Sequence, residues 1–392
     1  MEPVRQPMKR SLILLLTALT ACGTLAEAPM SLKVVRSEMK RNPEASYIDG
    51  QEGNLKWNYT TGLELKAMLD ASPKEAFDYV DAWYDAIIDS TGTIYKYKRE
   101  NYSTDHICPG RTLFQLYDIT GKEKYRMAMD TLYRQLKEQP RTPEGGFWHK
   151  KIYPNQMWLD GQHMCVPFYL MYELGFGSDE KYLDDAAMQL VLAYEKTYDP
   201  ATGLNRHAWN EDRLQPWADK ETGLAPHAWG RAMGWYTVAL ADSLELLPRD
   251  NKYYPRVLEI FNKVSEKLLS IRHDGVWYQV LDCPDRRGNY LESSASCLIT
   301  CAILKGARLG LLPEEFGKEA QYSFRQVQLN FLGRMDDGEF FIAKCCKVAG
   351  LGNTPYRDGS FDYYMSEDII KNDLKAAGGF LQAAVEYELA RK

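Results

Sequence analysis

The sequence predicts an all-α fold, an (α/α)6 barrel: a six-hairpin toroid whose long loops gather at one end. Three observations carry that expectation. A turn in which glycine precedes an apolar or aromatic residue recurs at Thr91-Gly92-Thr93-Ile94, Gly145-Gly146-Phe147-Trp148, Thr202-Gly203-Leu204, Asp274-Gly275-Val276-Trp277 and Asp337-Gly338-Glu339-Phe340. Between successive turns lie two stretches with apolar residues at helical spacing, parted by a Gly or Pro break. The spacing of the turns is irregular, which disfavours an open solenoid of fixed repeat length and favours a closed ring.

Taken in order, residues 1–10 are basic through Arg5, Lys9 and Arg10, and residues 11–20 are apolar but too short to span a bilayer. The segment ends in Leu19-Thr20-Ala21-Cys22, which resembles a bacterial lipobox, in which the cysteine is lipidated. Residues 1–22 therefore read as a lipoprotein-type signal peptide with Cys22 as the lipidation site. Residues 23–50 read as an N-terminal linker and 51–392 as a single barrel domain. The expected location is the periplasm, with the lipid as the only membrane contact.

Within the body, 63–69 opens the helical series. The pairs 111–117 and 123–136, 166–174 and 181–197, and 233–247 and 254–271 follow, and 376–390 closes it. No Pro/Ser-rich linker or charge run divides the domain. The chain has 392 residues, 45% hydrophobic and 26% charged, an ordinary globular composition with room for a large core. A net charge of −6 argues against nucleic acid or an anionic membrane surface as partner. An anionic substrate would need a local basic pocket against that background. Nothing in the sequence sets the oligomeric state beyond a monomer or weak homo-oligomer.

Beyond Cys22 the cysteines are Cys108, Cys165, Cys283, Cys297, Cys301, Cys345 and Cys346, an odd number with no CxxC and no paired Cys/His spacing. The expectation is no required disulfide and no structural metal. Cys297 and Cys301 sit one helical turn apart and read as small buried residues.

Chemically capable side chains concentrate between Glu144 and Tyr169, which holds His149, Lys150, Trp158, Asp160 and His163 among aromatics. Asp160 stands just before an apolar run, where a helix N-cap belongs. Its company reads instead as a sugar pocket with an acid in it. In His227-Ala228-Trp229-Gly230-Arg231-Ala232-Met233-Gly234-Trp235, Arg231 and Trp235 are four apart and share a helix face. There an arginine can clamp a carboxylate while tryptophan supplies a stacking wall; capping and core packing are the plainer alternatives. If the outgoing loops share one mouth, Asp105, His149, Lys150, Asp160, His207, Arg231 and the segment from Tyr356 to Tyr364 meet there.

The runs Asp105-His106-Ile107-Cys108-Pro109-Gly110, Gly146-Phe147-Trp148-His149-Lys150, Met157-Trp158-Leu159-Asp160-Gly161, Trp229-Gly230-Arg231-Ala232-Met233-Gly234-Trp235 and Gly359-Ser360-Phe361-Asp362-Tyr363-Tyr364-Met365-Ser366-Glu367 together resemble glycoside hydrolase family 105, the unsaturated rhamnogalacturonyl and related uronyl hydrolases. The resemblance spans nearly the whole body and brings with it the (α/α)6 barrel. It implies a substrate bearing a 4,5-unsaturated uronic acid at its non-reducing end, as left by a polysaccharide lyase, from pectin or a related acidic glycan. It also implies hydration of that enol ether, with a proton to C4 and water to C5, after which the glycosidic bond falls open. The usual carboxylate-spacing rule for glycosidases does not apply, because the attack is not at the anomeric carbon.

Carried over residue by residue, Asp160 matches the general acid/base and Asp105 the second carboxylate. Two close carboxylates are expected to share a proton, which raises one pKa. His149, Lys150 and His207 match pocket residues, Arg231 and Trp235 match carboxylate and stacking contacts, and Tyr59, Trp158 and Trp229 match walls. His106 and His163 are expected to be surface or core residues. No cofactor is implied. The rival readings are an unsaturated glucuronyl hydrolase acting on glycosaminoglycan fragments, a lyase on the same barrel, and a non-catalytic glycan-binding lipoprotein. The first would call for a dense basic cluster for sulfate, the second for a Tyr or His base beside Arg or metal, and the third for loss of the acid at 160.

Overall fold

In the computed structural model, residues 28–45, 48, 55–177 and 179–391 are described. Cys22 and the signal segment lie outside the described residues. Thirteen α-helices are found among the described residues: α1 Met30–Arg41, α2 Tyr59–Ala71, α3 Pro73–Ile87, α4 Gly110–Thr120, α5 Glu123–Glu138, α6 Leu159–Phe176, α7 Lys181–Thr197, α8 Gly230–Leu246, α9 Tyr254–Ser270, α10 Ser293–Arg308, α11 Glu314–Phe331, α12 Phe361–Ser366 and α13 Leu374–Leu389.

The ring closes through α2, α4, α6, α8, α10 and α13, each packed on the next and α13 packed back on α2. Most of these inner helices are buried nearly all round. In α8 every residue from Gly230 to Leu244 is buried, so an apolar stripe on one face would not be enough. The outer helices α3, α5, α7, α9 and α11 bury one face only, as amphipathic helices do.

That count leaves α13 without an outer partner, and α1 supplies it. Met30–Arg41, expected to be part of a linker, is a helix packed on α13 and α2. Val34 and Val35 are fully buried, and Ser31 donates to the Glu388 carboxylate from both its backbone N–H (3.0 Å) and its hydroxyl (2.7 Å). The barrel therefore begins near residue 30 and not at 51. The segment looks polar in sequence because only one narrow face is apolar.

The recurrent glycine turns are short antiparallel hairpins that end each outer helix. They are seen as the bridges Ile88 to Ile94, Arg141 to Phe147 and His273 to Val276, and as two ribbons. Those ribbons are β2 (Tyr198–Asp199) with β3 (Leu204–Asn205), and β5 (Leu332–Arg334) with β6 (Phe340–Ile342). Gly92, Gly145, Gly203, Gly275 and Gly338 all have φ between 72° and 98°, which is why glycine recurs there. Two further ribbons cross the mouth: β1 (Gln156–Trp158) with β4 (Ala208–Asn210), and β7 (Cys345–Cys346) with β8 (Ile369–Ile370). Away from the mouth, Asp242 of α8 bridges Arg111 of α4 and Lys305 of α10, at 2.6 Å each, in the barrel interior. No described helix is long and apolar enough to cross a membrane.

Candidate active site

Each inner helix begins at the mouth, so the chemistry stands on helix N-termini. Tyr59 opens α2, Asp105 lies in the 3-10 turn Thr104–His106 before α4, and Asp160 is in the first turn of α6. Trp229 precedes α8 and Glu292 caps α10 through the Ala295 N–H at 2.7 Å. The partial positive ends of several helices thus face one space, a setting that favours an anion despite the net charge of −6.

Asp160 is not a cap: its side chain takes no capping hydrogen bond, and Trp158 occupies the N-cap position. What fixes it is the β1–β4 ribbon. Trp158 pairs with Ala208, and the Leu159 N–H donates to the His207 carbonyl at 3.2 Å, extending the ladder one step. The ladder holds the His207 ring against Asp160, with Nε2 3.3 Å from Oδ2. His207 is fully buried, and its other nitrogen, Nδ1, lies 2.7 Å from the Tyr364 hydroxyl. Burial lifts the Asp160 carboxyl, but hydrogen bonding and charge from His207, then His149, more than offset this and hold it below its ordinary value.

Asp105 has its own cation. Lys150 Nζ lies 2.5 Å from Oδ2, and His149 Nε2 3.6 Å from Oδ1. Burial raises the Asp105 carboxyl; Lys150 and His149 outweigh it and leave it lowered. The expectation that the two carboxylates share a proton is therefore corrected. Each has a separate positive or hydrogen-bonding partner, so both stand ionised in the ligand-free protein.

His149 is buried, and that burial pushes its pKa down to about 4, so the ring is neutral at ordinary pH. Its position comes from several directions. Its N–H donates to the Gln156 carbonyl (2.9 Å), its carbonyl accepts from the Thr104 N–H (3.0 Å), and Nδ1 contacts Thr104 Oγ1 (2.9 Å). His149 and Tyr153 stack on Trp158 at 4.5 and 4.9 Å and are themselves coplanar at 6.2 Å, so they lie side by side on one indole face. A Cβ at Gly161 would come within 3.3 Å of His149 Nδ1, so glycine there lets the imidazole approach α6.

Two assignments need correction. Arg231 does not face the mouth. It is 1% exposed, and Nη1 donates to the Cys346 carbonyl (2.6 Å) and to Ser294 Oγ (3.1 Å), with Glu292 at 3.7 Å. Its guanidinium stacks 4.4 Å from Trp229, whose ring backs His207 at 4.7 Å. Arg231 acts on the site through Trp229. Trp235 is also core, 1% exposed, with its ring stacked on His163 at 4.6 Å and meeting Tyr59 edge-on at 6.5 Å. An i, i+4 pair can share a helix face that points inward. The aromatic surfaces left for a sugar are Tyr59 at the mouth and the His149–Trp158–Tyr153 layer.

His163 is fully buried, as expected of a core residue. The sequence reading overlooked Thr104, Tyr153, Gln156 and Glu292, and gave Tyr364 no role. Tyr153, Gln156 and Tyr364 lie in runs that the sequence does single out, whereas nothing in composition or spacing marks Thr104 or Glu292. His227, Asp282 and Cys283 bring donor atoms within 4.8 Å of one another. Asp282, however, already accepts from His227, the Ala228 N–H and Arg206, so the group ties the 206, 228 and 282 loops together. All seven described cysteines are unpaired.

The model of Glycosyl Hydrolase Family 88 matches residues 30–390, which includes α1. A solved structure described as a glycoside hydrolase from family 105 of C. acetobutylicum ATCC 824 is 41% identical and superposes with a TM-score of 0.88, covering 92% of this chain and 100% of that one. A 24.9 kDa protein of the picA locus of Rhizobium radiobacter is 37% identical over 233 residues, which are 57% of this chain and 97% of that protein. The unsaturated rhamnogalacturonyl hydrolase YesR of Bacillus subtilis is 28% identical over 218 residues, 53% of this chain and 59% of that enzyme.

Proposed function

The chain belongs to Glycosyl Hydrolase Family 88, alongside the family 105 structures, and on that premise we propose that it removes the 4,5-unsaturated uronic acid from the non-reducing end of lyase-generated, rhamnogalacturonan-type oligosaccharides. The observation that carries the proposal is the buried contact of Asp160 with His207 beside a Lys150-paired Asp105, on an aromatic layer.

The reaction asks for a proton delivered to C4 and a water activated at C5, and one carboxyl group can serve both in turn. Asp160 is ionised in the free protein, so it must gain a proton when substrate binds. The substrate's own carboxylate supplies the drive. At ~4 Å and an effective dielectric near 20, two like charges repel by about 4 kcal/mol, enough to favour a protonated Asp160. Lys150, already held by Asp105, and the helix N-termini offset the same charge on the substrate side. Proton transfer to C4 leaves an oxocarbenium ion at C5. The Asp160 carboxylate then takes a proton from the water that adds there. The neutral His149 ring and the indole face of Trp158 flank this charge without competing for the proton. Export and a lipid tether at Cys22 belong to the same proposal, supported by the basic, apolar and Leu19-Thr20-Ala21-Cys22 order of residues 1–22.

The test is turnover of lyase products of rhamnogalacturonan in heavy water, followed by loss of the alkene's ultraviolet absorbance. One deuterium on C4 of the released keto-uronic acid, on a single face, is the expected result. An unsaturated monosaccharide with its alkene intact would sink the reading.

A further inference from the structure

An enzyme that acts on one terminal residue must let the rest of the oligosaccharide leave the mouth, and Tyr59 marks where. It opens α2 at the mouth and meets Trp235 edge-on at 6.5 Å. Tyr59 also lines a cavity of about 530 Å3, walled by the end of α1, the start of α2, the β7–β8 ribbon and the start of α13. That volume falls within the ~300–1,000 Å3 of small-molecule sites.

The lining is basic and polar. Of its cations, Arg41 is engaged by Glu38 at 2.6 Å and Lys375 by Asp373 at 2.7 Å, so these two pairs cancel. Lys56 is exposed and has no carboxylate within ion-pair distance among the described residues. Lys347 holds only Asp368, at 3.2 Å, and both side chains are more than half exposed. Such a surface pair is weak and easily exchanged for another carboxylate. Among the described residues, Lys56 before α2 and Lys347 after β7, the latter by giving up its exposed Asp368, are thus the ammonium groups of this lining open to a ligand, in a protein of net charge −6.

We propose that this cavity is a second glycan subsite that takes a further carboxylate-bearing sugar of the same oligosaccharide, held by Lys56 and Lys347 beyond Tyr59. The inference rests on the reading of the mouth as an unsaturated uronyl hydrolase site. In a rhamnogalacturonan chain the acidic sugars alternate with neutral ones. The subsite therefore distinguishes a tetrasaccharide, with two carboxylates, from a disaccharide, with one. It also gives α1 a purpose beyond closing the ring, since Glu38, Arg41 and Asn42 form one wall.

The test compares the unsaturated rhamnogalacturonan disaccharide and tetrasaccharide as substrates of the full-length protein and of the Lys56→Gln/Lys347→Gln double variant. The expected result is a KM for the tetrasaccharide raised about 3- to 10-fold, with that for the disaccharide unchanged. Added salt should raise the native tetrasaccharide KM more steeply than that of the variant, which keeps only the anion contacts of the mouth. Equal tetrasaccharide KM values in the two proteins, or the same change for both substrates, would overturn the subsite. If neither substrate is turned over, the hydrolase reading has failed, and calorimetric binding of a saturated rhamnogalacturonan tetrasaccharide decides the subsite by itself. Weaker binding to the double variant supports it, and unchanged or absent binding rejects it.

Discussion

The Tyr364 hydroxyl lies 2.7 Å from His207 Nδ1, while Nε2 of the same ring faces Asp160 Oδ2 at 3.3 Å. Burial raises the Tyr364 phenol well above its ordinary pKa, so it keeps a proton that it can give to Nδ1. In the tautomer where Nδ1 accepts, the ring hydrogen is on Nε2, the nitrogen 3.3 Å from Asp160 Oδ2. A residue 157 positions away in sequence from His207 thereby sets which tautomer the acid meets.

Tyr364→Phe removes that donor and keeps the ring that stacks near Trp229. The expected outcome is a kcat lowered by roughly five- to tenfold, the value of one hydrogen bond of about 1 kcal/mol, with KM and thermal unfolding close to native. Unchanged kcat would mean that the tautomer is set without Tyr364.

The pH dependence should differ between the two kinetic parameters. In the free protein, His207 and His149 hold the Asp160 carboxyl low against the effect of burial, and the kcat/KM profile reports that state. In the complex, the substrate carboxylate raises it, and the kcat profile reports that state. The alkaline limb of kcat is therefore expected at higher pH than that of kcat/KM, measured over the same buffer series. Coincident limbs would show that bound substrate does not protonate Asp160.

Arg231→Ala is expected to act on stability and kcat and to leave substrate affinity nearly unchanged. The guanidinium touches Cys346, Ser294 and Trp229, and its removal leaves Glu292 buried beside a cavity. Loss of one partner of such a group costs about 3–5 kcal/mol. Urea unfolding gives the first quantity and steady-state kinetics the second. A large rise in KM alone would return Arg231 to the substrate.

Asp242→Asn should destabilise the barrel most at neutral pH. Burial raises the Asp242 carboxyl, but Lys305 and Arg111 pull it far below the ordinary carboxylate range. A depressed folded pKa contributes stability in full above the unfolded value near 4 and loses it as pH falls toward the folded value. At pH 7 the variant leaves the buried Arg111 without its carboxylate and Lys305 with Glu245 alone, a cost of about 3–5 kcal/mol. Below pH 4 the native protein loses part of the same contribution, so the gap in urea midpoints between native and variant should narrow. A constant gap would show that Asp242 is not the titrating group.

The sequence by itself determined the ring, because both of its signals are local. Helical periodicity and the glycine turns are readable within a few residues, and Gly92, Gly145, Gly203, Gly275 and Gly338 all take the positive φ that makes glycine the residue of choice. It also marked Asp105 and Asp160 as candidates, and the motifs around these two fall where the inner helices α4 and α6 begin. What only the tertiary structure decided is which way side chains face and whom they meet. Arg231 and Trp235 share a helix face in either reading, but that face packs against β7 and α2 instead of opening to solvent, because α8 is buried all round. The partners that hold both aspartates ionised, Lys150 for Asp105 and His207 for Asp160, meet them across the mouth. The sixth outer helix comes from the opposite end of the chain, joined by Ser31 to Glu388. Contacts of that range depend on ring closure, which brings distant segments within bonding distance only once every inner helix has found its neighbour.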